Sequence, residues 1–167
     1  IIFSVGGGWE AGGRDDKGLQ PFLNHLASLG YTVVSLDYRL GIKIAKANGE
    51  MTKENGVEMY LRAIEWGVED LFDATSFILE RADEWNIDKD QIVIMGGSAG
   101  ATNSLVAEFN VANDTDLART HLPQGFRYAG VISMAGAFWL KANTPLAFKS
   151  RPAPILFFHG AKDQLVT

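Results

Sequence analysis

At 167 residues, 47% hydrophobic and 21% charged, the chain has globular composition, enough length for one sizeable core and too little for two ordinary domains. Its net charge of −5 provides no basic stripe of the kind that phosphate backbones select, so nucleic acid is not an expected partner. The absence of cysteine excludes disulfide scaffolds and thiolate metal sites, and no apolar run reaches the roughly 18 residues needed to span a bilayer.

The first predicted strand runs from Ile1 to Val5 and is apolar from its first residue. Leu19, Phe22, Leu23, Leu26 and Leu29 then fall at helical spacing, with Asp16 as a candidate N-cap and Gly30 at the C′ position. A second strand, Tyr31 to Leu36, is followed by a loop from Gly41 to Asn55, long enough to suggest a functional role. Leu61, Ile64, Val68, Leu71, Ala74, Ile78, Ala82 and Trp85 mark a long helix, expected to bend or break near Gly67. A third strand, Gln91 to Met95, leads into a short helix from Ala99 to about Phe109. A second long loop, Asn110 to Tyr128, precedes strands at Ala129 to Ala135 and Pro154 to Phe158.

All five strands are near-continuously hydrophobic, as strands buried on both faces are. Alternating with helices, they predict an α/β fold: a doubly wound, mostly parallel sheet with helices on both faces. Ligands bind beyond the carboxyl ends of such strands. The residues directly after each strand are therefore the candidates for chemistry. No repeats or low-complexity tracts interrupt the pattern.

After the third strand comes Gly96-Gly97-Ser98-Ala99-Gly100, a G-x-S-x-G sequence between strand and helix. Small neighbours allow a sharp turn that exposes one hydroxyl, and the N–H of Ala99 at the helix start would face a developing oxyanion. A purely structural glycine-rich turn has the same pattern. After the first strand, Gly6-Gly7-Gly8-Trp9 would let backbone N–H groups approach a ligand closely. A flexible turn competes with that reading; a phosphate loop is disfavoured because no G-K-[ST] follows. After the fifth strand, Asp163 in His159-Gly160-Ala161-Lys162-Asp163 is a carboxylate able to orient a histidine, or an Asp that stabilises its own turn. Gly136-Ala137-Phe138-Trp139, after the fourth strand, offers no rival charge.

These motifs, with Asp37-Tyr38-Arg39-Leu40, occur in the order seen in α/β-hydrolase carboxylesterases and lipases, and the chain resembles the hormone-sensitive-lipase-like and type-B carboxylesterase groups. The resemblance runs from that family's third strand to the turn after its seventh. It implies Ser98 as nucleophile, Asp163 as triad acid and the N–H groups of Gly7, Gly8 and Ala99 as the oxyanion hole. It also implies a small-molecule ester substrate, no cofactor and no metal. Asp37 and Arg39 would be structural, Arg39 pairing with Asp70 or Asp73. Val5 stands where lipase-like members often have His, and Gly97 where many relatives carry Asp or Glu.

The general base is not evident. His25 falls in a predicted helix, His121 in a loop, and His159 precedes the acid, whereas the α/β-hydrolase order is Ser, acid, His. The expectation is that residues 1–167 are an internal portion of the domain, with the histidine beyond Thr167 and with open edges at Ile1 to Val5 and at Pro154 to Phe158. Two other readings stay open: a peptidase of the prolyl-oligopeptidase kind, which usually uses a tyrosine donor in place of the glycine loop, and a binding module of the same fold without a working triad.

Overall fold

The computed structural model describes residues 1–166; Thr167 lies outside the described residues. The elements in chain order are β1 (Ile2–Ser4), α1 (Gln20–Ser28), β2 (Val34–Leu36), α2 (Gly41–Ala47), α3 (Gly56–Glu80), β3 (Val93–Gly97), α4 (Ala99–Ala112), α5 (Asp116–His121), β4 (Gly130–Met134) and β5 (Ile155–Phe158). The strands form one parallel sheet in the order β2-β1-β3-β4-β5. One row across it reads Val34, Ile2, Ile94, Val131 and Ile155, so the register aligns apolar side chains from edge to edge.

The winding reverses between β1 and β3. The chain leaves β1 to build β2 on one side and then crosses to build β3, β4 and β5 on the other. Loops leaving adjacent strands in opposite directions open a crevice at that point. The glycine loop after β1 and the Ser98 turn after β3 form its two sides.

α4 lies against β1, β3 and β4, and α3 covers its outer side. Between two layers a helix must bury nearly every face. α4 does so, taking the polar side chains of Thr102, Asn103, Ser104 and Glu108 inside with its apolar ones.

Several elements differ from expectation. β1 is an interior strand rather than an edge, because β2 pairs along its outer side; the open edges are β2 and β5. On β5, Leu156, Phe157 and Phe158 are each about half exposed. Asp16 does not cap α1: its carboxylate accepts the Gly18 N–H at 2.7 Å, and the helix begins after Leu19 with Pro21 in its first turn. The Gly41 to Asn55 loop contains α2, and the Asn110 to Tyr128 loop contains the end of α4 and all of α5. α3 runs unbroken through Gly67, where a Cβ would run into the Asn103 side chain. That glycine serves close packing between two helices rather than a bend.

Candidate active site

Ser98 is the N-cap of α4 and adopts φ 48°, ψ −116°, a conformation that L-residues rarely hold. The turn is pinned on both sides: the Ser98 N–H donates to the Met134 carbonyl at 2.8 Å, and the Ser98 carbonyl accepts the Thr102 N–H at 2.9 Å. Its flanking glycines have no room for a side chain. A Cβ on Gly96 would strike the Gly100 carbonyl group and lie 2.6 Å from the Ala101 nitrogen; one on Gly100 would strike the Ser4 carbonyl and lie 2.5 Å from the Val5 oxygen. Gly97 differs, since nothing lies within 4 Å of its Cβ direction, and the acidic residue many relatives carry would fit there. Ser98 itself is exposed at the carboxyl edge of the sheet.

The glycine loop comes up against this turn. A Cβ placed on Gly6 would lie 3.4 Å from the Ser98 Cβ and 3.1 Å from the Gly97 oxygen. The Gly7 carbonyl accepts the N–H groups of Glu10 and Ala11 at 3.0 and 3.1 Å. In a planar trans peptide the C=O and N–H point opposite ways, so the Gly8 N–H is directed out of that turn. Ala99 is the first residue of α4, and its N–H has no intrahelical acceptor. Three groups expected as oxyanion donors thus belong to two segments that meet at Ser98.

Trp9 closes the loop with φ 58° and a buried indole whose Nε1–H donates to Asn103 Oδ1 at 3.0 Å. The Trp9 carbonyl accepts from Ile42 and Lys43 in the first turn of α2. Its ring packs on Tyr60 and Trp139 at centroid distances of 6.0 and 6.2 Å, and those two lie 5.7 Å apart. Tyr38, whose phenol burial pushes well above its ordinary pKa and keeps protonated, donates to the Val5 carbonyl at 2.8 Å. Arg39 pairs with Asp70 at 2.9 Å and Glu69 at 2.5 Å; Asp73 takes His121 Nδ1 instead, at 2.7 Å.

Asp163 lies in the turn after β5. Its Oδ1 accepts the N–H groups of Leu165 and Val166 at 2.8 and 3.0 Å, and these bonds, led by Val166, hold its pKa below the usual carboxylate value. β4 lies between β3 and β5, so Asp163 and Ser98 belong to chains two strand spacings apart, about 10 Å. His159 Nε2 meets the Val166 carbonyl at 2.7 Å and lies 3.4 Å from Asp163 Oδ2. His25 is exposed on α1. Among the described residues, no histidine hydrogen-bonds Ser98, and no cluster of three His, Asp or Glu side chains could hold a metal ion.

Sequence reasoning missed the buried polar residues of α4. Thr102 Oγ1 accepts the Ala137 N–H at 3.3 Å, and Glu108 Oε1 accepts the Ala153 N–H at 2.8 Å just before β5. Burial pushes the Glu108 pKa up, against smaller lowering from the Ala153 N–H and the Arg127 charge. Polar residues on every face of a helix between two apolar layers were the available signal.

Comparison with known proteins agrees with this architecture. Gut esterase 1 of Caenorhabditis elegans is 31% identical over 104 residues, 62% of this chain and 17% of that protein. Esterase 2 of Thermogutta terrifontis superposes with a TM-score of 0.67 at 21% identity, covering 99% of this chain and 61% of its own. Esterase B of Lactobacillus rhamnosis superposes with a TM-score of 0.59 at 20% identity, covering 81% and 38%. The chain therefore has the α/β-hydrolase fold and spans under a fifth of the curated relative's length. The BD-FAE family model matches residues 1–145, the stretch holding both the glycine loop and the Ser98 turn, and the chain belongs to that family.

Proposed function

We propose that these residues form the nucleophile-bearing part of a serine hydrolase that cleaves carboxylic esters through an acyl-enzyme. The observation that carries this reading is the strained Ser98, exposed between two glycines that admit no side chain. Strain of this kind persists where the surrounding structure imposes it, typically at functional sites.

Ser98 Oγ attacks the acyl carbon as its proton passes to an imidazole; the carbonyl oxygen becomes an anion received by the N–H groups of Gly7, Gly8 and Ala99. The imidazolium returns the proton to the alcohol oxygen, which leaves as alcohol, and the acyl group stays on Ser98. Water, deprotonated by the same imidazole, then attacks the acyl carbon; the bond to Ser98 Oγ breaks, the imidazolium returns its proton to that oxygen, and the carboxylic acid departs. Asp163, already ionised, holds the imidazole in orientation from across β4. Among the described residues no histidine hydrogen-bonds Ser98, and His159 is engaged with the Val166 carbonyl, so none of them is assigned as that imidazole. No step requires a metal or cofactor.

The glycine loop favours an ester substrate over a peptide one. Peptidases of the prolyl-oligopeptidase kind usually use a tyrosine donor, and the nearby Tyr38 hydroxyl is committed to the Val5 carbonyl. The names of the three similar proteins described above, each an esterase, support the same choice. The test is fluorophosphonate labelling of the intact protein with a panel of nitrophenyl esters of increasing chain length. Label is expected on Ser98 and absent from Ser98→Ala, together with ester turnover. Label on another serine sinks the assignment, and neither label nor turnover leaves a binding module of the same fold.

A further inference from the structure

The reaction leaves Asn103 unaccounted for. Asn103 is completely buried on α4, five residues beyond Ser98. Its Oδ1 accepts the indole N–H of Trp9 at 3.0 Å, and because indole can only donate, that contact fixes which end of the amide faces the ring. The other end, Nδ2, has no hydrogen-bond partner among the described residues and is pressed against Gly67 of α3. A leucine would fill the same branched space without an unpaired Nδ2, and its one polar cost would be the buried Trp9 indole N–H left without an acceptor. Packing alone gives no reason for an amide there, whereas the Trp9 contact does.

We infer that Asn103 is a positioning residue that sets the oxyanion loop, an inference resting on the esterase reading above. Trp9 follows Gly8 directly and holds a positive φ, so the placement of its indole constrains the peptide units whose N–H groups face the site. Tyr60 and Trp139 pack on the ring but do not fix the direction of its N–H; Asn103 does. The anchor, the nucleophile and the Ala99 donor are all carried by one buried helix. Registry between the two halves of the oxyanion hole is thereby set by a single rigid body, with Gly67 providing the space that holds the amide from behind.

The measurement is the ratio of turnover of an ester to that of its thionoester, whose sulfur is a poor acceptor for the hole, in the intact protein. Asn103→Leu is expected to lower kcat for the ester about 10- to 100-fold, below the ~10²–10³ of deleting a donor outright. KM should stay within about twofold, because the lost interaction is made only in the transition state. Thionoester turnover should change little, so the ratio falls about tenfold or more. Trp9→Phe, which keeps a ring and removes the donor, should reproduce the effect, and the double variant should be no worse than either single one. An unchanged ratio, or losses that multiply in the double variant, would overturn the role. If Asn103→Leu does not fold, Trp9→Phe decides by the same ratio. A wild-type protein that neither hydrolyses esters nor labels at Ser98 instead removes the esterase reading, and this role with it.

Discussion

Replacing Ser98 by glycine should make the protein more stable while abolishing its chemistry. The residue sits at φ 48°, ψ −116°, away from the left-handed helical well that asparagine or aspartate tolerate. A non-glycine residue held in so sparsely populated a region costs roughly 1–3 kcal/mol. Glycine removes that cost but gives the unfolded chain extra freedom, an offset of about 0.4–1 kcal/mol. The hydroxyl is exposed and caps nothing, so its deletion loses no native hydrogen bond. The net gain is about 1 kcal/mol, or about 2–4 °C in melting temperature for a protein of this size class. Ser98→Ala keeps the Cβ and hence the strain, and should melt with the wild type. Thermal unfolding followed by circular dichroism compares the three. If Ser98→Gly melts at or below Ser98→Ala, the conformation is unstrained, and the physical argument for a nucleophile at this turn fails.

Asp163→Asn should lower kcat on the order of 10⁴-fold, the scale on which serine hydrolases respond when the histidine loses its orienting carboxylate; a fall below about tenfold in folded protein removes Asp163 from the triad. Because the Val166 and Leu165 N–H groups hold that carboxyl below its usual range, the acid limb of the activity profile should follow the imidazole rather than Asp163. At Glu108 the folded-state pKa is raised, so the proton it holds contributes stability that is fully present below the ordinary carboxylate pKa and lost as pH rises through the raised value. Glu108→Gln retains an acceptor for Ala153 and carries no charge; its stability advantage over the wild type should widen from about pH 4 to pH 8 in urea titrations, and a constant gap refutes the linkage. Glu108→Ala should be about 2–4 kcal/mol less stable, losing both volume and the acceptor.

The strand set, the parallel winding and the Ser98 turn were legible because each is a local signal: short apolar runs, alternation with helical spacing, and glycines packed around one serine. Which strand lies at the edge was not. Ile1 to Val5 and Tyr31 to Leu36 read alike, and only the direction in which the chain crosses after each strand decides that β2 covers β1. α2 was hidden because it is short and its N-cap residue, Leu40, makes no side-chain capping bond. α5 did carry a signal, Thr115, whose hydroxyl accepts the Ala118 N–H at 3.4 Å as an N-cap does. Gly67 was misread since helix-breaking and helix-contact glycines look the same until the neighbour, here Asn103, is placed. The loop and elbow of the candidate site could be read from motifs, but the anchoring of the loop could not. Asn103 and Trp9 are 94 residues apart, and their contact exists only once α4 has docked under the first loop.

The aromatic cluster beside the glycine loop makes this part of the molecule observable by its own light. Of the four tryptophans, Trp9 and Trp139 share one cluster with Tyr60, whereas Trp66 lies under the cations of Arg39 and Arg62, and Trp85 lies tilted against Phe77. At these separations, excitation of Tyr60 passes readily to the indoles, and two indoles held at a fixed tilt couple into a signed near-ultraviolet dichroic band. Trp139 is part exposed at the carboxyl edge, so its emission reports on molecules arriving there, while the dichroic band reports whether Trp9 keeps its orientation. The mutual orientation of the two indoles beside the loop can therefore be followed optically, without any dye or tag.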